Sequence, residues 1–305
     1  MTGPKNTSSG GRSGRPPRQE RPSTGGKPKS GGKHQPAPPK ALPPGRGRKL
    51  LQKPPAALAP AVGREFLYGR NAVWEALHGR RDLSRLMVAE GIREDERIRA
   101  MLTLAAEKKV KLDRVPRLLL DDALRGTNHQ GLALEVGPFV YSDLADVISA
   151  PGTVLVLDHL QDPQNFGTLL RTADAAGVAG VVIPADRAVD ITPAVVNASS
   201  GAVEHLRVAQ VANLVQALED LKGHGRWVLG LAGEKGSVDL FTAELPTPAV
   251  LVVGAEGTGL GQRVRSTCDV MVALPMVGKV ASLNAATAGA IALYDLVRRE
   301  RAAQR

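Results

Sequence analysis

The chain has 305 residues, a formal net charge of +10, one cysteine and 3% aromatic residues. A single thiol excludes an internal disulfide and any metal site built on several cysteines, and no apolar run reaches the roughly 18 residues of a membrane span. The charge is unevenly held: residues 1–63 carry 13 Lys/Arg and one acid, whereas the remainder holds 27 Lys/Arg against 29 acids.

Residues 1–63 also contain 13 of the 22 prolines and no Phe, Trp or Tyr. Such a segment cannot bury enough apolar surface to offset the entropy of ordering, which predicts a disordered basic tail. Its charge suits an arm that gains RNA affinity by counterion release. A linker or solubilising extension with no partner fits the same composition. A transit peptide is disfavoured by the prolines and the lack of an amphipathic pattern, and no apolar h-region marks secretion. A cytoplasmic protein with no membrane partner is expected.

Order is expected from Arg64. Helices are predicted over Arg70–Leu77, with Val73, Trp74 and Leu77 on one face, over Glu94–Glu107, and from Pro116 to Ala123. Strands are predicted over Arg85–Ala89, Val110–Val115 and Gly131–Val136. This alternation over residues 64–140 reads as a small α/β domain, slightly positive with 14 basic and 12 acidic residues. Arg80, Arg81, Lys108, Lys109 and Lys111 are candidate phosphate contacts or simply a solvated face. His129 is either a loop histidine satisfied by the backbone or an RNA contact. Residues 141–151 read as a linker with a helical turn.

From residue 152 to 305 the pattern changes. Thr153–Leu157 is a continuous apolar run, as in a strand covered on both faces. A loop leads from it to a helix over Thr168–Ala176, stopped by Gly177. Further strands are predicted at Val178–Ile183, Leu206–Ala209, Trp227–Leu231 and Val250–Val253. Helices are predicted from Pro193 and over Leu214–Leu221. The interval argues a parallel, doubly wound sheet. Asp158 and His159 suggest a hydrolytic pair, but there is no GxSxG elbow, and adjacent residues at a strand end are expected to point to opposite faces. Cys268 is expected to pack as a small apolar residue.

The region from Ala249 onward organises the second half. Val250–Val253 runs into a glycine-rich turn, Val270–Leu274 ends in Pro-Met-x-Gly, and Ser282-Leu283-Asn284 opens the last helix. Two strand ends and a helix start therefore present backbone at one place, where open α/β sheets bind ligands. The glycines Gly254, Gly257, Gly259 and Gly261 fit neither GxGxxG nor a phosphate loop, so a dinucleotide or ATP is disfavoured. A loop needing several tight turns would use the same residues.

DPQNFGTLLRTADAAG, GAEGTGL and LPMVGKVASLN, in that order, resemble the three motifs of the SpoU/TrmH-type RNA 2′-O-ribose methyltransferases of the SPOUT superfamily. The resemblance covers Gly152 to the end, and the preceding segment resembles the family's substrate-binding domain, itself similar to small ribosomal RNA-binding proteins. It implies a deep trefoil knot in the C-terminal domain, a homodimer, and methyl transfer from S-adenosyl-L-methionine to a ribose 2′-hydroxyl. It implies a donor pocket from Gly254, Leu274 and Leu283, assisted by Gly259 and Met276. Arg171 matches the family's proposed catalytic arginine, with Asn165, Glu256 and Asn284 organising it and the substrate. The role proposed for it in the family is to take the 2′-hydroxyl proton after activation by its surroundings; an arginine is a poor general base, so clamping a phosphate beside the target ribose is the favoured of the two roles. Outside the motif it would read as a surface partner of Asp174. Asn165 and Asn284 also suit helix caps. The last helix carries Ala286, Ala290, Leu293 and Leu296 at helical spacing, a candidate dimer surface or an intramolecular one. The two-domain layout most resembles members that methylate a guanosine of 23S rRNA. tRNA methylation, or a non-catalytic factor on a ribosome-assembly intermediate, are the alternatives.

Overall fold

The structure, a computed structural model, describes residues 58–186 and 190–303. The expected tail over residues 1–63 lies outside the described residues as far as position 57. Order begins before Arg64, however. Leu58 is buried among Phe66, Met87 and Ala133, and the Ala61 N–H donates to Glu135 Oε1 at 2.7 Å.

The first sheet comprises β1 (Glu65–Tyr68), β2 (Leu83–Ala89), β3 (Lys111–Val115) and β4 (Leu132–Val136), in the order β1-β4-β2-β3. β4 is antiparallel to both neighbours, and β2 and β3 are parallel. The connecting helices are α1 (Arg70–His78), α2 (Glu96–Glu107) and α3 (Arg117–Ala123). Asp95 caps α2 by accepting from the Ile98 N–H at 3.0 Å, and that bond holds its carboxyl below the ordinary range. Alternate strand residues face opposite layers. Leu67, Leu86 and Leu134 pack on α1 and α2, while Phe66, Met87 and Ala133 pack on Leu120 of α3.

After α4 (Leu144–Ser149) come seven strands: β5 (Val154–Asp158), β6 (Gly180–Pro184), β7 (Val208–Val211), β8 (Trp227–Leu231), β9 (Val238–Asp239), β10 (Ala249–Gly254) and β11 (Val270–Ala273). They form one sheet in the order β7-β6-β5-β10-β8-β11-β9, and every pairing is parallel. The parallel sheet read from the apolar runs is therefore present. Its helices are α5 (Pro163–Ala176), α6 (Pro193–Ala198), α7 (Leu214–Gly223), α8 (Gln262–Thr267) and α9 (Ala285–Ala303). Leu155, Leu157, Leu251 and Val253 join Leu169, Leu170, Leu293 and Leu296 of α5 and α9 on one face. Val154, Val156, Val250 and Val252 join Leu218 and Leu221 of α7 and Val264 of α8 on the other.

The two sheets belong to one compact unit. Arg81, 5% exposed, sets its Nε 2.9 Å from Glu204, pairs with Glu65 and stacks its guanidinium over Phe139. Arg80 donates to the Leu206 carbonyl, and His205 meets Glu75 at 2.8 Å. Arg81 is thus a buried strut rather than a phosphate contact, because two carboxylates and an aromatic face replace its water. His129 is likewise structural. Its Nδ1 accepts the Gly131 N–H at 3.1 Å, which leaves the Nε2–H to donate to Asp121 at 2.8 Å.

Candidate active site

The register of the parallel sheet aligns the strand ends that form the site. Gly254 is paired with Asp158, and Val253 and Val272 each with Leu231. The carboxyl ends of β5, β10, β8 and β11 therefore finish side by side, where helix starts and loops must close a crevice.

Beyond β10 the chain folds into a turn closed by two bonds: Ala255 N–H to the Gly259 carbonyl, 3.1 Å, and Gly259 N–H to the Ala255 carbonyl, 2.9 Å. Gly257 and Gly259 have φ of 82° and 66°, a region costly to residues with a Cβ. At Gly254 a Cβ would lie 2.3 Å from the Gly259 carbonyl carbon. The close approach that glycine allows here is to the turn's own backbone.

A cavity of ≈ 420 Å³ opens at this turn. All five residues expected to hold a cofactor line it, Gly254, Gly259, Leu274, Met276 and Leu283, together with Leu231 and Glu256. Its walls are backbone and apolar side chains apart from Ser282 and Glu256, and Glu256 is the one ionisable group among the lining residues. That character suits a ligand recognised by shape and main-chain groups.

A second cavity of ≈ 310 Å³, lined by His159, Asp162, Asn165 and Thr258, shares Ala255 and Glu256 with the first. Three of the four expected catalytic residues meet beside it. Asn165 Nδ2 donates to Glu256 Oε2 at 2.9 Å, and Asn284 Nδ2 donates to Asn165 Oδ1 at 2.8 Å. The amide orientation follows from the helix start, since Asn284 Oδ1 accepts the N–H groups of Ala286 and Thr287 at 3.0 and 3.1 Å. Asn284 thus both caps α9 and joins the network. Asn165 does not cap α5. That role belongs to Asp162, which accepts from Gln164 and Asn165 at 3.1 and 3.2 Å, with Pro163 at the first helical position. The helix begins five residues before the predicted Thr168, and Asn165 lies inside its first turn, 7% exposed.

Arg171 stands apart. It lies six residues along α5 from Asn165, about 9 Å at the helical rise. Its exposed guanidinium donates to Ser200 Oγ at 3.1 Å. It does not pair with Asp174, whose carboxyl is instead raised by burial, with Glu75 adding to the rise and His205 opposing it. Ser200 was not anticipated. Its signal is the Ser199-Ser200-Gly201 helix stop, where Ser200 itself adopts φ 55°.

His159 also adopts a positive φ, 56°. This turns its ring back onto the preceding residue, so its Nδ1 meets Asp158 Oδ1 at 2.5 Å, while Asp158 Oδ2 accepts the Gly261 N–H at 2.7 Å. The expectation that adjacent residues point apart fails here because it assumes strand dihedrals. No cluster of metal-ligating residues occurs among the described residues, and none of their helices is long and apolar enough to cross a membrane.

Comparison with known proteins adds to this geometry. Residues 152–294 match the SpoU rRNA Methylase family, and residues 66–142 match the family described as RNA 2′-O ribose methyltransferase substrate binding. A Bacillus subtilis protein assigned to the TrmH family of tRNA/rRNA methyltransferases is 39% identical over 240 residues, covering 77% of this chain and 95% of that one. A Synechocystis tRNA/rRNA methyltransferase is 39% identical over 238 residues, but the chain spans only 62% of its length. Among solved structures, an AdoMet-bound rRNA methyltransferase from Sinorhizobium meliloti superposes with a TM-score of 0.65 at 26% identity, over 78% of this chain and 88% of that one.

Proposed function

The chain belongs to the SpoU rRNA methylase (TrmH) family of RNA methyltransferases, and we propose that it moves a methyl group from S-adenosyl-L-methionine to the 2′-hydroxyl of a guanosine ribose in 23S rRNA. The observation that carries this reading is the pair of cavities sharing Ala255 and Glu256, one apolar and backbone-lined, the other bordered by Asn165. That relation would set a donor beside an acceptor.

S-adenosylmethionine supplies an electrophilic methyl group when bound. Gly254, Gly259, Leu274, Met276 and Leu283 would hold it, the leucines against its apolar parts and the turn backbone against its polar ones. Glu256, fixed by Asn165 and through it by Asn284, presents a carboxylate at the boundary, where it can accept a hydrogen bond from a ribose hydroxyl and orient it. Arg171 is exposed and has no ion pair among the described residues. Its five donors suit a phosphate next to the target ribose, and its bond to Ser200 aims it.

The domain over residues 64–140 would hold the structured RNA, and that over residues 152–305 would carry the chemistry. A homodimer belongs to the same proposal, through α9. Of the stripe Ala286, Ala290, Leu293 and Leu296, which the sequence offered as a dimer surface or an intramolecular one, Ala286, Leu293 and Leu296 are buried in the chain's own core and Ala290 is half-buried, which is the intramolecular arrangement. The exposed large apolar side chains of α9 are Ile291 and Tyr294. Sedimentation as a monomer at working concentration would remove the dimer. The trefoil threading would involve the segment from β10 to α9, whose Gly289 packs on Leu169 of α5 and Val253 of β10. An experimental chain trace without it would exclude the knot.

The test is nucleoside mass spectrometry of unmodified 23S rRNA and tRNA transcripts incubated with labelled S-adenosylmethionine, wild type against Arg171→Ala. The expected product is 2′-O-methylguanosine in 23S rRNA, reduced at least about a hundredfold in the variant, as for loss of a transition-state contact. Product in tRNA alone keeps the chemistry and replaces the substrate. No product in any RNA leaves a non-catalytic binding factor.

A further inference from the structure

A third cavity, of ≈ 470 Å³, lies at the carboxyl ends of β5 and β6 and is lined by His159, Asn213, Leu214, Gln262 and Arg263 among others. It is separate from the cofactor cavity, with which it shares no residue. It shares His159 with the cleft that borders Asn165. The imidazole is therefore a common wall between the acceptor cleft and this cavity.

His159 is built to present one ring nitrogen. Asp158 is 1% exposed and has both oxygens engaged, one with His159 Nδ1 and the other with the Gly261 N–H. A buried carboxylate fixed in this way holds the ring through Nδ1, and Nε2 has no partner among the described residues. A histidine held at positive φ at the mouth of a site costs backbone energy that ordinary packing does not require. The Arg263 guanidinium likewise has no hydrogen bond or ion pair among the described residues. The Asn213 Oδ1 caps α7 through the Gln216 N–H, and its Nδ2 has no partner among the described residues. Half-buried Val215, over the buried Leu214, adds apolar surface. The lining also includes the carboxylates of Asp158, spent on His159 and Gly261, and of Asp186. Unpartnered donors beside apolar side chains, across His159 from a cleft for a ribose, suit a neighbouring nucleotide of the same strand: a base on the apolar side chains and its phosphate on Arg263, away from Asp186.

We propose that this cavity binds the nucleotide flanking the target ribose, and that His159, positioned by Asp158, contacts that nucleotide through Nε2. The inference rests on the methyltransferase reading for the identity of the strand.

The test uses the full chain with His159→Gly and Arg263→Ala, and unmodified 23S rRNA and tRNA transcripts as probes. Glycine tolerates φ of 56° without a Cβ penalty, so His159→Gly removes the ring while relieving the backbone. A histidine with only a structural role would then change melting temperature and leave RNA affinity alone. The expected result is RNA Kd and KM raised about tenfold in each variant, the size of one lost hydrogen bond to a charged group, with S-adenosylmethionine affinity unchanged. Rescue toward wild-type KM is expected from His159→Asn, which restores a polar head. Unchanged RNA Kd in both variants would overturn the proposal, as would an equal loss of cofactor binding. If wild type methylates neither transcript, the methyltransferase reading fails on its own, and the RNA Kd comparison still decides the cavity.

Discussion

Gly254 joins fold and site in a single residue. Its missing side chain lets the turn return within 2.3 Å of where a Cβ would stand, and the same turn forms one wall of the apolar cavity. The neighbour there is backbone, which cannot swing aside. Gly254→Ala should therefore displace the turn and weaken S-adenosylmethionine binding by more than about tenfold, about 1.4 kcal/mol, read by calorimetry. An unchanged Kd would separate the turn from the cofactor. Cys268 shows the opposite case, a residue whose chemistry is suppressed. Burial pushes its thiol up to about 11, and its Sγ donates to the Val264 carbonyl. The native protein should resist iodoacetamide at pH 8 far better than the urea-unfolded chain, in which the thiolate is more populated. The sign for stability follows. The folded thiol titrates above the unfolded one, whose reference value is 9.0. Its contribution is thus complete below pH 9 and is lost as pH rises from there through about 11. A urea midpoint that rises over this interval would contradict the assignment.

The first turn of α5 carries the site at the level of the element. Asp162 satisfies two orphan N–H groups, Pro163 needs no donor at the first position, and the turn thereby places the Asn165 amide toward Glu256. Asp162→Ala should cost about 1 kcal/mol of stability. It should also lower kcat for methyl transfer beyond that loss, with cofactor Kd unchanged, because Asn165 is no longer held. Equal kcat in folded variant and wild type would show that Glu256 needs no such support. The Asp162-Pro163 pair is a signal for this start in the sequence, but it is equally a loop signal, and Asn165 competes with it as a cap. Most other elements were legible to within a few residues, because α1, α2 and α7 keep an apolar face and β5, β6 and β10 are unbroken apolar runs. β1, β9 and α8 were not anticipated. They have four, two and six residues, too few to show a period, and depend on tertiary partners. The meeting of Asn165, Glu256 and Asn284 came from motif resemblance, as their separations of 91 and 119 residues carry no local signal. The place of Ser200 beside Arg171 had no signal beyond a helix stop.

For the molecule as a whole, charge and fold are separated along the chain. All excess positive charge lies before residue 64, and the remainder holds 27 basic against 29 acidic residues. Part of that remainder's basic set is committed inside the fold: Arg81 to Glu65 and Glu204, Arg226 to the carbonyls of Ile148 and Ala150, and Arg299 to Asp295. A nearly neutral body with part of its arginine set so engaged has little long-range pull on a polyanion. RNA affinity should then depend on residues 1–57, which retain all 13 of the segment's Lys/Arg. The cut belongs at 57 and not at 63, because Leu58 and Ala61 are packed and hydrogen-bonded into the first sheet. Each phosphate neutralised contributes about 0.7 to the log–log salt slope for a single strand. If a few of these side chains engage, removing residues 1–57 should flatten the slope of RNA binding by about 2 or more. S-adenosylmethionine affinity and melting temperature should stay at wild-type values, since the described residues of the cavity and the core all lie from position 58 onward. A salt slope equal to wild type, measured on the same transcript between low and physiological salt, would assign RNA affinity to the folded body and leave the arm without an RNA role.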